Sequence, residues 1–214
     1  MITDWEARRQ IVAIGKQLYS QGLVAAKDGN ISVRLKNDKI VITPANSSLA
    51  TMADGHMVHV DLKGSAVEGL RQPSSEMRMH LEVYRRRPDV SAVIHAHPAY
   101  ATAFTLAGLD FSLPVLPEVQ IIFGEIPVAP YGTPATEESA ASIRDLIKSH
   151  DIVVLDHHGA ITVGKTLKDA YCRMEKLEHM AKTLFIARQL GELKPLSDDA
   201  LKKIAEFRKK YLAP

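Results

Sequence analysis

The chain has one cysteine, one tryptophan and only 6% aromatic residues in a length of 214. A lone Cys, Cys172, excludes an internal disulfide framework and any zinc knuckle built on thiolates, and it is the cysteine usage of a reducing compartment. No run of about 18 apolar residues occurs, so no membrane span is expected. The start, MITDWEARRQ, is charged where a secretory signal needs an apolar stretch, and the cytoplasm is the expected location. A strong excess of one charge is also lacking. Lys and Arg number 27 against 25 Asp and Glu, the net charge is +2, and Arg85-Arg86-Arg87 is the basic run that stands out. A nucleic-acid partner is therefore not expected. With no Gly/Ser- or Pro-rich linker and no internal repeat, residues 1–214 read as one domain.

What the chain does have is nine histidines. A cysteine-poor protein that binds a transition metal must use imidazole and carboxylate, so their placement matters.

Thr3 to Glu6 reads as a capping box ahead of Ala7, Ile11, Ile14 and Leu18 at helical spacing, with Gly22 as the stop. Ile31–Leu35 and Lys39–Thr43, joined by Lys36-Asn37-Asp38, read as a hairpin, and His56–Val60 as a third strand. Met77, Leu81 and Tyr84 predict a helix from Ser75 to about Arg87, capped by Ser74 or Ser75 and stopped by Pro88. Ala92-Val93-Ile94 is a short buried strand leading into His95-Ala96-His97, and Pro98 opens a small helix ending near Gly108. Ile126–Ala129 is a further strand and Glu137–Ser149 an amphipathic helix. Ile152–Leu155 and Ile161–Val163 are strands on either side of Asp156-His157-His158-Gly159. A long helix is expected over Leu167–Leu190, with Cys172 as a packing residue and Gly191 past its end. Ser197 caps a final helix that runs to Tyr211. Strands and helices interleave throughout, so the expected fold is a single α/β domain with a central, mostly antiparallel sheet flanked by helices.

In a strand, residues i and i+2 share a face, so His95 and His97 project side by side and can chelate one divalent ion. The alternative is two ordinary half-buried histidines. The pair follows an apolar strand that Pro98 ends, so it lies at a strand's carboxyl edge, where open α/β sheets place their sites. His157-His158-Gly159 also follows an apolar strand. Adjacent residues of an extended chain face opposite ways, so one of the two is expected to be a ligand, and Gly159 permits a close backbone approach. Three imidazoles leave a coordination position open, as in a catalytic zinc site. His56, His59, His80, His150 and His179 lack such placement and are expected to be surface or packing residues.

Gln72-Pro73-Ser74-Ser75-Glu76 sets two hydroxyls and a carboxylate at a helix start. That can be a plain cap, or an anion site that combines free N–H groups with serine donors. The turn Asp28-Gly29-Asn30 can add backbone amides.

An ordered set of these segments resembles the class II aldolase and adducin-head family, in particular its L-fuculose-1-phosphate aldolase branch. The set is Gly29-Asn30-Ile31-Ser32-Val33-Arg34, Ile42-Thr43-Pro44, Pro73-Ser74-Ser75-Glu76, His95-Ala96-His97, Ala129-Pro130-Tyr131 and His157-His158-Gly159. The resemblance covers residues 6 to 210. It implies one zinc ion per subunit, or another divalent metal, on His95, His97 and His158, with Glu76 close by as general base. It implies a substrate phosphate held by Gly29, Asn30, Asn46, Ser74 and Ser75. It also implies a homotetramer with sites between subunits, completed by a C-terminal tyrosine for which Tyr211 is the nearest match. The expected reaction is reversible cleavage of a ketose 1-phosphate to dihydroxyacetone phosphate and a small aldehyde, L-fuculose 1-phosphate or a deoxy- or methylthio-pentulose 1-phosphate being the substrates considered.

The chain departs from the branch at two places. Ala45-Asn46-Ser47 replaces a Thr-Gly pair, so a phosphate-site hydroxyl is missing unless Ser47 supplies it. Glu118 stands where the fucose enzymes carry a tyrosine, which puts a carboxylate with a possible proton-moving role at the aldehyde end of the pocket. Epimerases of the family resemble this chain but carry Asp where it has Glu76. Dehydratases, decarboxylases and a non-catalytic adducin-like interaction domain are the other readings on the same scaffold.

Overall fold

In the computed structural model, which describes residues 2–211 apart from the side chains of Asn37 and Tyr211, Thr3 opens helix α1 (Asp4–Ser20). The capping box is reciprocal: the Thr3 hydroxyl accepts from Glu6 N–H, and the Glu6 carboxylate accepts from Thr3 N–H at 2.9 Å. Gly22, with φ of +70°, turns the chain out of the helix.

Eight strands form one sheet: β1 (Asn30–Arg34), β2 (Ile40–Ile42), β3 (Val58–Val60), β4 (Ala66–Glu68), β5 (Ala92–Ala96), β6 (Val128–Ala129), β7 (Ile152–Leu155) and β8 (Gly159–Gly164). Their spatial order is β4-β3-β2-β1-β5-β8-β7-β6. β6 pairs parallel with β7, and the other neighbours pair antiparallel, as the sequence suggested. The remaining helices are α2 (Met77–Arg86), α3 (Ala99–Leu106), α4 (Pro117–Ile122), α5 (Glu137–Ile143), α6 (Leu167–Leu190) and α7 (Asp198–Tyr211).

Strand alternation divides the core in two. Ile31, Val33, Ala92, Ile94 and Ala96 pack with Ile11 of α1, Phe104 of α3 and Met174 and Leu177 of α6. Ile40, Ile42, Val58, Val60 and Val93 pack with Met79, Val83 and Tyr84 of α2 and Ile143 of α5. Each fully buried Ile or Leu in these layers contributes roughly 1.5–3 kcal/mol. Among the described residues, no helix is long and apolar enough to cross a membrane.

Several boundaries differ from the sequence expectation. α2 starts at Met77 rather than Ser75, because Ser74-Ser75-Glu76 forms a turn closed by Met77 N–H to Ser74 O (3.1 Å) and Met79 N–H to Glu76 O (3.0 Å). The helix expected to reach Ser149 stops at Ile143 and resumes as a single 3-10 turn, Leu146–Lys148. β4 and α4 were not anticipated: β4 is exposed throughout, so it lacks apolar alternation, and α4 is a short helix opened by Pro117. Cys172 is exposed and does not pack in the core. It follows the buried Tyr171 by about 100° around the helix, which takes it off the apolar stripe.

Candidate metal centre and active site

Strand register assembles the site. β1 and β5 pair Asn30 with His95 and Ser32 with Val93, while β5 and β8 pair His95 with Ile161 and Ala96 with Ala160. The start of β1, the end of β5 and the start of β8 therefore meet at one edge of the sheet. Gly159 makes the approach possible: a Cβ there would lie 2.4 Å from Ala96 O and 3.0 Å from His97 Cδ2. Glu76 enters from the turn before α2.

The structure brings Glu76, His95, His97 and His158 together, with one ligand atom from each lying within 4.8 Å of the others. His95 Nε2 is 3.0 Å from His97 Nε2 and 3.1 Å from Glu76 Oε2, and His158 Nε2 is 3.3 Å from Glu76 Oε1. His157 adopts φ of +58°, and its ring is exposed beside Asp156, with Nδ1 to Oδ1 at 2.8 Å. One histidine of the adjacent pair thus enters the cluster and the other leaves it.

Protonation in the cluster suits a cation. Burial, reinforced by the neighbouring imidazoles, pushes His97 down to about 3, and burial together with His95 pushes His158 down to about 4, so both rings are neutral at physiological pH. His95 Nδ1–H donates to Ala160 O at 3.0 Å, which leaves the lone pair on Nε2. Burial alone would raise the Glu76 carboxyl, but the neighbouring His95 and His158 imidazoles and the Asn30 amide outweigh it and hold the group below the usual carboxylate range. Glu76 Oε1 is buried and has no aligned hydrogen bond. An orphaned carboxylate oxygen beside three imidazole lone pairs is a donor set suited to a divalent transition ion. Asp28 Oδ2 lies 3.6 Å from His97 Nδ1, on the outer side of that ring.

The expected phosphate-binding segments lie next to this cluster. Ser74 N–H donates to Thr43 O (3.0 Å) and Ala45 N–H to Gln72 O (3.0 Å), so the two loops run side by side. Asn46 takes a left-handed backbone, with φ of +55°, which Asn adopts more readily than most residues with a side chain. Gly29 has φ of +77°, and a Cβ there would lie 2.5 Å from Val24 Cγ1. Ser74 Oγ accepts from Glu76 N–H at 3.3 Å, so its own proton is free, and Ser75 is exposed. Ser47 is already engaged: it donates to Ala45 O (3.2 Å) and accepts from Arg71 (3.2 Å).

One expected residue, Glu118, is not brought into the cluster. Glu118, in the first turn of α4, bonds to Lys176 Nζ at 3.2 Å. Lys176 lines a cleft of about 680 Å³ together with Tyr100, Cys172 and His179, and none of the four clustered residues lines that cleft. The side chain of Tyr211 lies outside the described residues. Conversely, sequence reasoning missed His80. It is fully buried and hydrogen-bonded to Asn30, and burial pushes it down to about 3. The available signal was the spacing Glu76-His80-Tyr84 on one helical stripe, facing Asn30 and Ser32 on one strand face.

Residues 9–185 match the class II aldolase and adducin N-terminal domain family. The chain is 33% identical to a 5-deoxy-D-ribulose 1-phosphate aldolase of Bacillus thuringiensis serovar kurstaki, covering 93% of each chain. It is 32% identical to a 3-oxo-tetronate 4-phosphate decarboxylase of Pectobacterium atrosepticum, covering 90% of this chain and 88% of the relative. A solved L-fuculose 1-phosphate aldolase superposes with a TM-score of 0.86 at 30% identity, covering 95% of this chain and 96% of the other. The chain belongs to the class II aldolase and adducin family, as an enzyme of its metal-dependent lyase branch.

Proposed function

We propose that the protein is a zinc-dependent aldolase that reversibly cleaves a ketose 1-phosphate to dihydroxyacetone phosphate and a small aldehyde, with L-fuculose 1-phosphate or a deoxy- or methylthio-pentulose 1-phosphate as substrate. The observation that carries this reading is the buried, unbonded Oε1 of Glu76 beside three imidazoles. His95, His97 and His158 would hold the ion, which when bound supplies Lewis acidity against negative charge developing beside the substrate carbonyl. No Schiff-base lysine is then needed.

Glu76 takes a proton from the hydroxymethyl carbon of dihydroxyacetone phosphate in the condensation direction and returns it after cleavage. Its depressed pKa keeps it ionised and ready to accept. The phosphate is met by the Gly29 and Asn30 segment, Asn46 and the hydroxyls of Ser74 and Ser75. The free proton of Ser74 and the left-handed turns at Gly29 and Asn46 support that assignment.

Residues 1–214 would work as one class II aldolase domain in a cytoplasmic homotetramer with sites between subunits. Tyr211 gives a proton to the aldehyde oxygen and Glu118 serves the aldehyde end, each reaching a neighbouring subunit's site. In support, Arg208 of α7 donates to Gln120 O of α4 at 2.7 Å, so the helices bearing these two residues form one unit, and Glu118 stays outside its own chain's cluster. A phosphorylated substrate places the activity where phosphorylated sugars are retained, in the cytoplasm.

The second reading is decarboxylation of a phosphorylated 3-oxo acid, favoured by the decarboxylase relative. Incubation with dihydroxyacetone phosphate and a panel of small aldehydes separates the two. A new sugar phosphate supports the aldolase. Carbon dioxide released from 3-oxo-tetronate 4-phosphate, with no sugar phosphate formed from any aldehyde, overturns it.

A further inference from the structure

Beneath Glu76 a line of polar groups runs into the core. Asn30 Nδ2 is 2.9 Å from Glu76 Oε2, and Asn30 Oδ1 is 2.5 Å from His80 Nε2. His80 Nδ1 is 2.7 Å from Ser32 Oγ, which is 2.8 Å from the Tyr84 hydroxyl. Exposure is 9% at Glu76, 4% at Asn30, 2% at Tyr84 and zero at His80 and Ser32.

Donor and acceptor types leave one direction along this line. A carboxylate only accepts, so Asn30 presents its NH2 to Glu76 and its carbonyl to His80. A carbonyl only accepts, so His80 Nε2 carries the proton. The ring is neutral, so Nδ1 accepts from the Ser32 hydroxyl. Ser32 has then used its one proton and accepts from Tyr84. A reversed Asn30 amide would set its carbonyl against the carboxylate, and the His80 N–H excludes that reversal.

Apolar residues at 32, 80 and 84 would fill the same space without desolvating polar atoms. Of the five groups, Glu76 is the one that belongs to the metal cluster. We propose that His80 is a positioning residue for Glu76, acting through Asn30. Donating from Nε2–H, with Nδ1 held by Ser32, it anchors the Asn30 amide, so that Oε2 of Glu76 is held and Oε1 is left to face the imidazoles. This rests on the role given to Glu76 above.

The test uses two variants of the full chain. His80→Leu keeps the approximate volume and removes both ring nitrogens, and Ser32→Ala removes the hydroxyl that holds His80 Nδ1. One readout is the visible spectrum of cobalt(II) titrated into metal-free protein, which needs no turnover. The other is deuterium exchange from D2O into dihydroxyacetone phosphate by the zinc-loaded enzyme. Both variants should shift the cobalt spectrum. His80→Leu should lower the exchange kcat by about tenfold, the lower end of the loss caused by removing an outer partner of a metal site. Ser32→Ala should lower it by less, and KM for dihydroxyacetone phosphate should hold in both. In a Glu76→Gln background His80→Leu should cost nothing further, because the two act in series.

If His80→Leu does not fold, Ser32→Ala decides alone. An unchanged cobalt spectrum with an unchanged kcat overturns the proposal, as does a loss of equal size in the Glu76→Gln background. Wild-type exchange in Glu76→Gln itself would sink the role of Glu76. An inactive Glu76→Gln beside unaffected Ser32→Ala and His80→Leu would sink only the link through His80.

Discussion

Glu76, at the cap of α2, and Glu82, in its body, are both buried carboxylates, yet their surroundings differ in kind. Glu82 Oε1 accepts from Arg86 Nε at 2.9 Å and from Arg144 Nε at 2.7 Å, and its Oε2 is 3.8 Å from Arg85 Nη1. Because Arg144 follows α5, this cluster ties α5 to α2. Burial raises the Glu82 carboxyl, and the hydrogen bonds from Arg144 and Arg86 overcome that and lower it. The Glu76 carboxyl is lowered as well, by imidazoles and an amide, but one of its oxygens stays unbonded. Neither burial nor a depressed pKa therefore distinguishes the two. Guanidinium groups do not give up their protons, so they saturate a carboxylate permanently, whereas neutral imidazoles leave it able to accept.

The sharpest way to break this contrast is to remove a donor at Glu76's end. His95→Ala or His158→Ala should abolish turnover and bound metal together, read by metal analysis alongside the exchange assay. Metal retained at full stoichiometry would remove that histidine from the ligand set. Next in size, Glu76→Gln should keep the metal while the exchange rate falls by roughly 10²–10⁴-fold, the usual worth of general acid–base catalysis. Its melting temperature should hold.

Glu82→Gln should do the reverse, leaving turnover intact while destabilising the metal-free protein by about 1–2 kcal/mol in urea unfolding. The estimate is kept low because the arginine partners are part-exposed and screened. Its pH dependence follows from the lowered carboxyl. The stabilisation is whole above the ordinary value of 4.5 and fades as pH falls toward the depressed folded value. The gap between wild type and Glu82→Gln should accordingly close on acidification below 4.5, and a gap that widened there would contradict the assigned ion pairs. The smallest effect belongs to His157→Ala, which should keep both metal and rate because that ring is turned to solvent. Loss of metal would show that the wrong member of the pair had been chosen.

The features legible in the sequence were those with a local cause. The α1 capping box, the bounds of α6, the apolar runs of β5 and β7 and the His-x-His at the end of β5 all follow from spacing within a few residues. What escaped was set by other parts of the chain. β4 survives as an exposed edge because β3 offers it a partner, and α4 has too few residues to show a period. His80 was missed because a histidine inside an amphipathic helix reads as packing. Its role depends on Asn30 and Ser32, which only the β1–β5 register and the docking of α2 bring beneath it. The Glu118 and Tyr211 assignments rest on the family resemblance, and a single chain's periodicities say nothing about them.

The register of β8 against β5 has a kinetic consequence. The donors lie at positions 76, 95, 97 and 158; the β5–β8 pairing brings His158 to His95 and His97, and the turn before α2 adds Glu76. Shifting β8 by one residue would turn its side chains to the opposite face and destroy the donor set. A complete donor set then waits for this non-local pairing. In a refolding experiment, the time course of cobalt colour would time the closure of the sheet, with the ion acting as a reporter rather than a seed.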